Sequence, residues 1–153
     1  MSHPGPVSVR PAEDDDVVEI AGLVAMLAAE LGDPTPVTPA YVADYLHRPG
    51  CHALLAVRSS EVLGLLSYSF RPSLYHAADS CMVDELIVRL AERSGGIGTL
   101  LLNEVIRLAR EGGCAEVSLG VMKSNQAALR FYLRHGFEDE ALLLERHLPT
   151  ASA

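Results

Sequence analysis

One unit of the sequence restricts the fold more than any other. CMVDELIV (residues 81–88) is followed by a break with Gly95, Gly96 and Gly98, then by an apolar-periodic run through Leu101, Val105 and Leu108. Gly112 and Gly113 close that run, and AEVSLGV (115–121) follows. The spacing predicts strand, helix, strand with a short loop on each side, which requires the two strands to pair in parallel. Just upstream, HALLAVR (52–58) and VLGLLSYSF (62–70) are β-rich runs separated only by SSE. That is the pattern of an antiparallel hairpin. Parallel and antiparallel pairing in one chain predict a mixed sheet with helices on both faces.

The remaining elements fit around this frame. VSVR (7–10) alternates and reads as a first strand, and PAEDDD places acids ahead of an apolar-periodic run, where free N–H groups and the positive dipole end favour them. The run Val17, Ile20, Val24, Leu27, Leu31 predicts a helix ended by Gly32 and Pro34. Thr38 followed by Pro39 opens a short second helix. Residues 71–80 are expected as a polar loop. Asn125 caps a late helix ending at Gly136, and LLLERHL (142–148) is expected as a last strand. The predicted order is β-α-α-β-β-β-α-β-α-β in a single domain over residues 1–153.

Bulk properties narrow the function. A net charge of −8 argues against nucleic-acid binding, which needs a basic face. It is compatible with steering a cationic small molecule, or with solubility alone. No apolar run reaches the length of a membrane span, and the N-terminus lacks the order of a signal peptide. Cys51, Cys81 and Cys114 are too few and scattered for a disulfide framework, which suits the cytoplasm. The histidines and cysteines show no metal-ligand spacing, so no metal is expected.

Glycines at a helix start cost backbone entropy, so their presence needs a reason. Bare backbone at a helix N-terminus lets an anion approach the free N–H groups, and Arg93 adds a fork suited to phosphate. The physical reading is a pyrophosphate cradle; a flexible loop that merely caps a helix is the alternative. The order G-G-I-G, late in the chain, does not fit the dinucleotide fingerprint, and the lysine of a P-loop is missing.

Arg93-Ser94-Gly95-Gly96-Ile97-Gly98 resembles R-x-x-G-x-G, the acetyl-CoA signature of the GCN5-related N-acetyltransferase (GNAT) family. The block from Asn125 to Phe137, NQAALRFYLRHGF, is similar to that family's N-x-x-A-x-x-F-Y-x-x-x-G-F motif. The two lie in family order, and the resemblance covers nearly the whole chain. Val88-Arg89-Leu90 departs from the common V-x-P, and Ser94 stands where glycine or a basic residue is frequent.

The resemblance implies a GNAT-like three-layer α/β fold, acetyl-CoA as co-substrate, and transfer to a primary amine. Leu86, Ile87 and Val88 would pair with the pantetheine arm. Arg93, Ser94, Gly95, Gly96, Ile97, Gly98 and Thr99 would hold the pyrophosphate, and Asn125 would lie near the pantetheine. Tyr132 matches the family tyrosine near the CoA sulfur, with the role of general acid; a core aromatic beside Phe131 is the alternative.

The ammonium must also lose a proton before it attacks. Glu85 is the candidate base, acting through a water, with Asp84 as the rival. Strand alternation is expected to send these two side chains to opposite faces.

Residues 71–88 resemble aminoalkylphosphonate acetyltransferases within the family, so Arg71, Tyr75 and His76, with Glu85, are candidate acceptor-site residues; an ordinary solvent-facing loop is the alternative. Polyamines, aminoglycosides and protein or peptide amines remain as acceptors. A non-catalytic acyl-CoA-binding sensor or interaction module is the alternative function. A homodimer through the last strand is expected by family analogy.

Overall fold

Both kinds of strand pairing occur. A computed structural model describes residues 4–150. The chain divides into two compact units, Met1–Leu119 and Gly120–Ala153. The first contains β1 (Val7–Pro11), α1 (Val17–Leu31), α2 (Pro39–Leu46), β2 (Cys51–Arg58), β3 (Glu61–Ser73), β4 (Ala78–Val88), α3 (Ile97–Glu111) and β5 (Glu116–Leu119). The sheet order is β1-β2-β3-β4-β5, antiparallel except for the parallel β4–β5 pair.

Local chemistry sets the boundaries. Ser59, at φ +55°, turns the two-residue hairpin between β2 and β3. The Thr38 hydroxyl accepts from the Tyr41 N–H at 3.1 Å and caps α2. Gly32, at φ +71°, closes α1 by donating to the carbonyls of Ala28 and Ala29. Within the acidic run, the Asp16 carboxylate accepts from the Glu13 N–H at 2.7 Å and takes a two-pronged bond from Arg10 at 2.8 and 3.0 Å.

Two faces of the sheet are covered. Ile20, Ala21 and Leu23 of α1 and Val42 of α2 cluster with Ala53, Leu55, Val57, Val62, Leu65 and Ile87. By alternation Leu54, Ala56 and Leu66 point the other way. There α3 packs through Leu101, Leu102 and Val105, all fully buried. Each such side chain contributes about 1.5–3 kcal/mol. No helix among the described residues is long and apolar enough to cross a membrane.

The second unit holds α4 (Gln126–Arg134), capped by the Asn125 side chain, which accepts from the Ala128 N–H at 3.1 Å. Two expectations are corrected. Residues 142–148 form no strand; Leu142, Leu143, Leu144 and Leu148 are exposed. Three successive leucines give no alternation that assigns one face to a core, so nothing local fixes a register. Residues 71–80 are not a loop either. Arg71, Pro72 and Ser73 pair with Ser80, Asp79 and Ala78, leaving only residues 74–77 as a turn, with Ala77 at φ +51°. The polar composition there reflects a hairpin end with both faces wet.

Candidate active site

The site is built on an irregularity in β4. Ser67 of β3 lies opposite Glu85, while the next residue, Tyr68, lies opposite Val83. Asp84 is therefore an extra residue, a β-bulge, and alternation fails across it. The expectation of opposite faces is corrected: Asp84 and Glu85 both line one cavity of about 430 Å³. The bulge turns two neighbouring carboxylates toward the same space.

That cavity lies between α1, α2 and the sheet. Ile20 and Val24 of α1, Val42 and Leu46 of α2, and Leu65 of β3 form apolar wall. Ser67 joins the carboxylates at the polar end. Its hydroxyl bonds to the Glu85 carboxylate and accepts from the Glu85 N–H at 3.0 Å, so Ser67 fixes the side chain from two directions. Tyr45, also in the lining, donates to the His52 carbonyl at 3.0 Å. Burial raises the Glu85 carboxyl above its ordinary value; the Ser67 hydrogen bond opposes this and the Asp84 charge adds to it. Burial raises Asp84 too, with Arg71 pulling it back.

The opposite edge of β4 changes along its length. Parallel pairing with β5 runs from Ser80 to Val83 and stops. Beyond it the Glu85 N–H and Arg89 N–H point toward β3, bonding Ser67 and Leu63. By alternation the N–H groups of Leu86 and Val88 face the other edge, where no strand among the described residues pairs with them.

From Val88 the chain passes through a short 3-10 turn into the glycine stretch. Ser94 at φ +68° and Gly96 at φ +83° both take the left-handed conformation, and a Cβ on Gly95 would crowd the Glu92 carbonyl at 3.3 Å. The helix makes its first backbone bond from the Leu100 N–H to the Gly96 carbonyl, so the Ile97 and Gly98 amides point out of the helix end.

Three arginines hold this turn. Arg58 grips Glu92 with two bonds of 3.0 and 3.1 Å. Arg89 donates to the Val62 carbonyl at 2.6 Å and to Glu19 at 2.8 Å. Arg93, given a direct charge role by the sequence, donates to the Val88 carbonyl at 2.9 Å and to Glu30 at 2.5 Å. It ties the turn to β4 and α1.

Other candidates are placed elsewhere. Arg71 lines a separate cavity of about 260 Å³ with Ser80 and Glu116, and His76 pairs with Glu116 at 3.3 Å. Tyr75 projects from the hairpin tip, 93% exposed. These three do not join Glu85 in its cavity. In the second unit, Tyr132 packs edge-on against Phe131 and Phe137, with ring centroids 5.3 and 5.8 Å away. Burial raises its phenol pKa above the ordinary value. No group of three or more His, Cys, Asp or Glu among the described residues is arranged to hold a metal. Sequence reasoning missed the α1 and α2 wall and Ser67; a polar residue on the Leu65 face of an apolar strand was the available signal for the latter.

Comparison with known proteins agrees with this architecture. The model of the acetyltransferase (GNAT) family matches residues 12–137. An aminoalkylphosphonate N-acetyltransferase from Salmonella typhimurium is 30% identical over 130 residues, covering 85% of this chain and 84% of that protein. A Bacillus halodurans structure described as a transcriptional regulator superposes with a TM-score of 0.83 at 26% identity, covering 94% of this chain and all of the other. An aminoglycoside acetyltransferase from an uncultured soil metagenomic sample shares the fold, with a TM-score of 0.81 at 16% identity and 94% and 96% coverage.

Proposed function

This chain belongs to the acetyltransferase (GNAT) family, and from that premise we propose that it moves an acetyl group from acetyl-CoA to a small primary amine by direct transfer. The observation that carries the proposal is the continuity of β4 with the glycine turn. The strand loses its parallel partner after Val83 and leads into a helix start whose amides face outward. Open strand backbone suits an extended, amide-bearing arm. Helix-end amides suit a pyrophosphate. On this footing Leu86, Ile87 and Val88 hold the pantetheine, and the turn from Ser94 to Gly98 holds the phosphates, kept in shape by Arg93.

Bound acetyl-CoA supplies an acetyl thioester. Glu85 takes the proton that the acceptor ammonium must lose, directly or through one water. Its raised pKa brings it closer to working pH, where a general base is most effective. Tyr132, a phenol that is protonated at working pH, gives its proton to the departing thiolate. The ammonium gives one proton to Glu85; the N–C bond then forms as the C–S bond breaks, Tyr132 protonates the departing thiolate, and the second proton shed by the nitrogen returns to the Tyr132 oxygen, leaving an amide and a free thiol. Asn125 has its side-chain oxygen engaged in capping α4, which leaves its amide NH₂ as the group for the pantetheine. The same reading sets the enzyme in the cytoplasm, with free thiols at Cys51, Cys81 and Cys114, and as a homodimer, checked by sedimentation.

The test measures acetyl-CoA binding by calorimetry and CoA thiol release with a panel of amines. Glu85→Gln and Tyr132→Phe are expected to bind acetyl-CoA within about threefold of wild type and to lose roughly 10²–10⁴ in kcat. Failure of wild type to bind acetyl-CoA would overturn the proposal. Binding without turnover of any amine would favour the non-catalytic module.

A further inference from the structure

The Glu85 cavity has a polarity that bears on the acceptor. Its charged lining is anionic: Asp84 and Glu85 stand at one end, and the lining includes no Lys, Arg or His. The walls above them are apolar, with Ile20, Val24, Val42 and Leu65 among them. Arg71 lines the separate cavity beside Glu116, and Arg48 stacks over the Tyr41 ring, 5.4 Å from its centroid.

From this arrangement we infer that the acceptor is a primary amine on an apolar body, of the alkylamine or arylalkylamine class, without an anionic group. This rests on the acetyltransferase reading and names its substrate class. The cationic head meets the two carboxylates, Coulombic attraction orienting it toward the base. The hydrocarbon body replaces water along the α1 and α2 walls. A volume of about 430 Å³ lies toward the small end of ligand sites.

Other classes fit the lining less well. A phosphonate or carboxylate on a short amine would enter beside two carboxylates with no cation in the cavity lining to meet it, since Arg71, whose charge reaches Asp84, lines the other cavity. An aminoglycoside would bring many hydroxyls into a cavity of about 430 Å³ whose α1 and α2 walls include Ile20, Val24, Val42 and Leu46, and the Tyr45 hydroxyl there already donates to His52. Buried hydroxyls left unpaired weaken binding.

The experiment compares small primary amines with and without an anionic end: n-butylamine and phenethylamine against 2-aminoethylphosphonate and β-alanine. Calorimetry reads binding to the full chain with and without acetyl-CoA, and thiol release reads turnover. At least a tenfold advantage for the apolar amines, in Kd or in kcat/KM, is expected. Val24→Arg, which adds a cation to the wall, is expected to narrow that advantage at least threefold; Thr35→Arg serves if the first variant does not fold. Equal or better use of the phosphonate by wild type would overturn the inference and leave the acetyltransferase reading standing. Absence of binding by either class would overturn it too. Tenfold tighter binding of apolar amines without thiol release would support the substrate class while counting against the transfer reaction.

Discussion

The same chemical change at two glycines is expected to move stability in opposite directions. Gly22 lies in the exposed interior of α1, and a Cβ there would touch nothing within 4 Å. Alanine restricts the unfolded chain more than glycine does, so Gly22→Ala is expected to stabilise by about 0.5–1 kcal/mol. Gly64 lies in β3 against β4 and α3. A Cβ there would sit 2.9 Å from the Ile87 carbonyl oxygen and 3.3 Å from both Ile97 Cγ2 and Leu101 Cδ1. The first contact is backbone on the neighbouring strand and cannot turn aside, so Gly64→Ala is expected to cost about 1–3 kcal/mol as overpacking. For a chain of this size 1 kcal/mol corresponds to roughly 2–4 °C. Gly22→Ala should therefore raise Tm by about 1–4 °C and Gly64→Ala should lower it by about 2–12 °C. Thermal melts followed by circular dichroism, with urea titrations alongside, read both. Ile87 lies in β4 and Ile97 opens α3, so the Gly64 variant is also expected to weaken acetyl-CoA binding while the Gly22 variant leaves it unchanged. Equal shifts for the two variants, or no loss from Gly64→Ala, would refute the claim that β3, β4 and α3 pack too closely at Gly64 to admit a side chain.

Two further outcomes bear on the site. Because the Asp84 charge helps raise Glu85 and the Ser67 hydrogen bond opposes that rise, Asp84→Asn should move the acid limb of the kcat/KM profile to lower pH. Ser67→Ala should move it to higher pH; a limb unmoved by both would remove Glu85 from the role of base. Arg93→Ala should weaken acetyl-CoA binding about tenfold by loosening the turn, while Glu30→Ala, which removes only an exposed partner, should leave the Kd within about twofold. A third concerns stability: Asp16 is held below its ordinary pKa by the Arg10 bond. Its contribution is present above the unfolded carboxyl pKa and is lost as pH falls through the lower folded value. Asp16→Asn should cost about 1.5–3 kcal/mol at neutral pH, shrinking toward acid pH in urea titrations.

The sequence by itself determined the features that depend on neighbours along the chain. Thr38 and Pro39, Gly32, and the hairpin turn after Arg58 act through local backbone bonds and dihedrals, so their elements stand where residue order puts them, although Glu61, read as turn, pairs with Arg58. The parallel β4–β5 pair followed from two short loops around one helix. The left-handed positions at Ser94 and Gly96 and the helix start behind them are likewise local. Tertiary structure decided the rest. Whether residues 142–148 pair depends on a partner strand that three consecutive leucines do not specify. Whether Arg93 faces a phosphate or Glu30 depends on where α1 lies, some sixty residues away in sequence. The cavity needs walls from α1 and α2 against a sheet formed later in the chain. Its polar end turns on one residue: register against β3 makes Asp84 a bulge, and a bulge is a property of two paired strands. Alternation read along one strand sends Asp84 and Glu85 apart; pairing with Ser67 and Tyr68 brings them together.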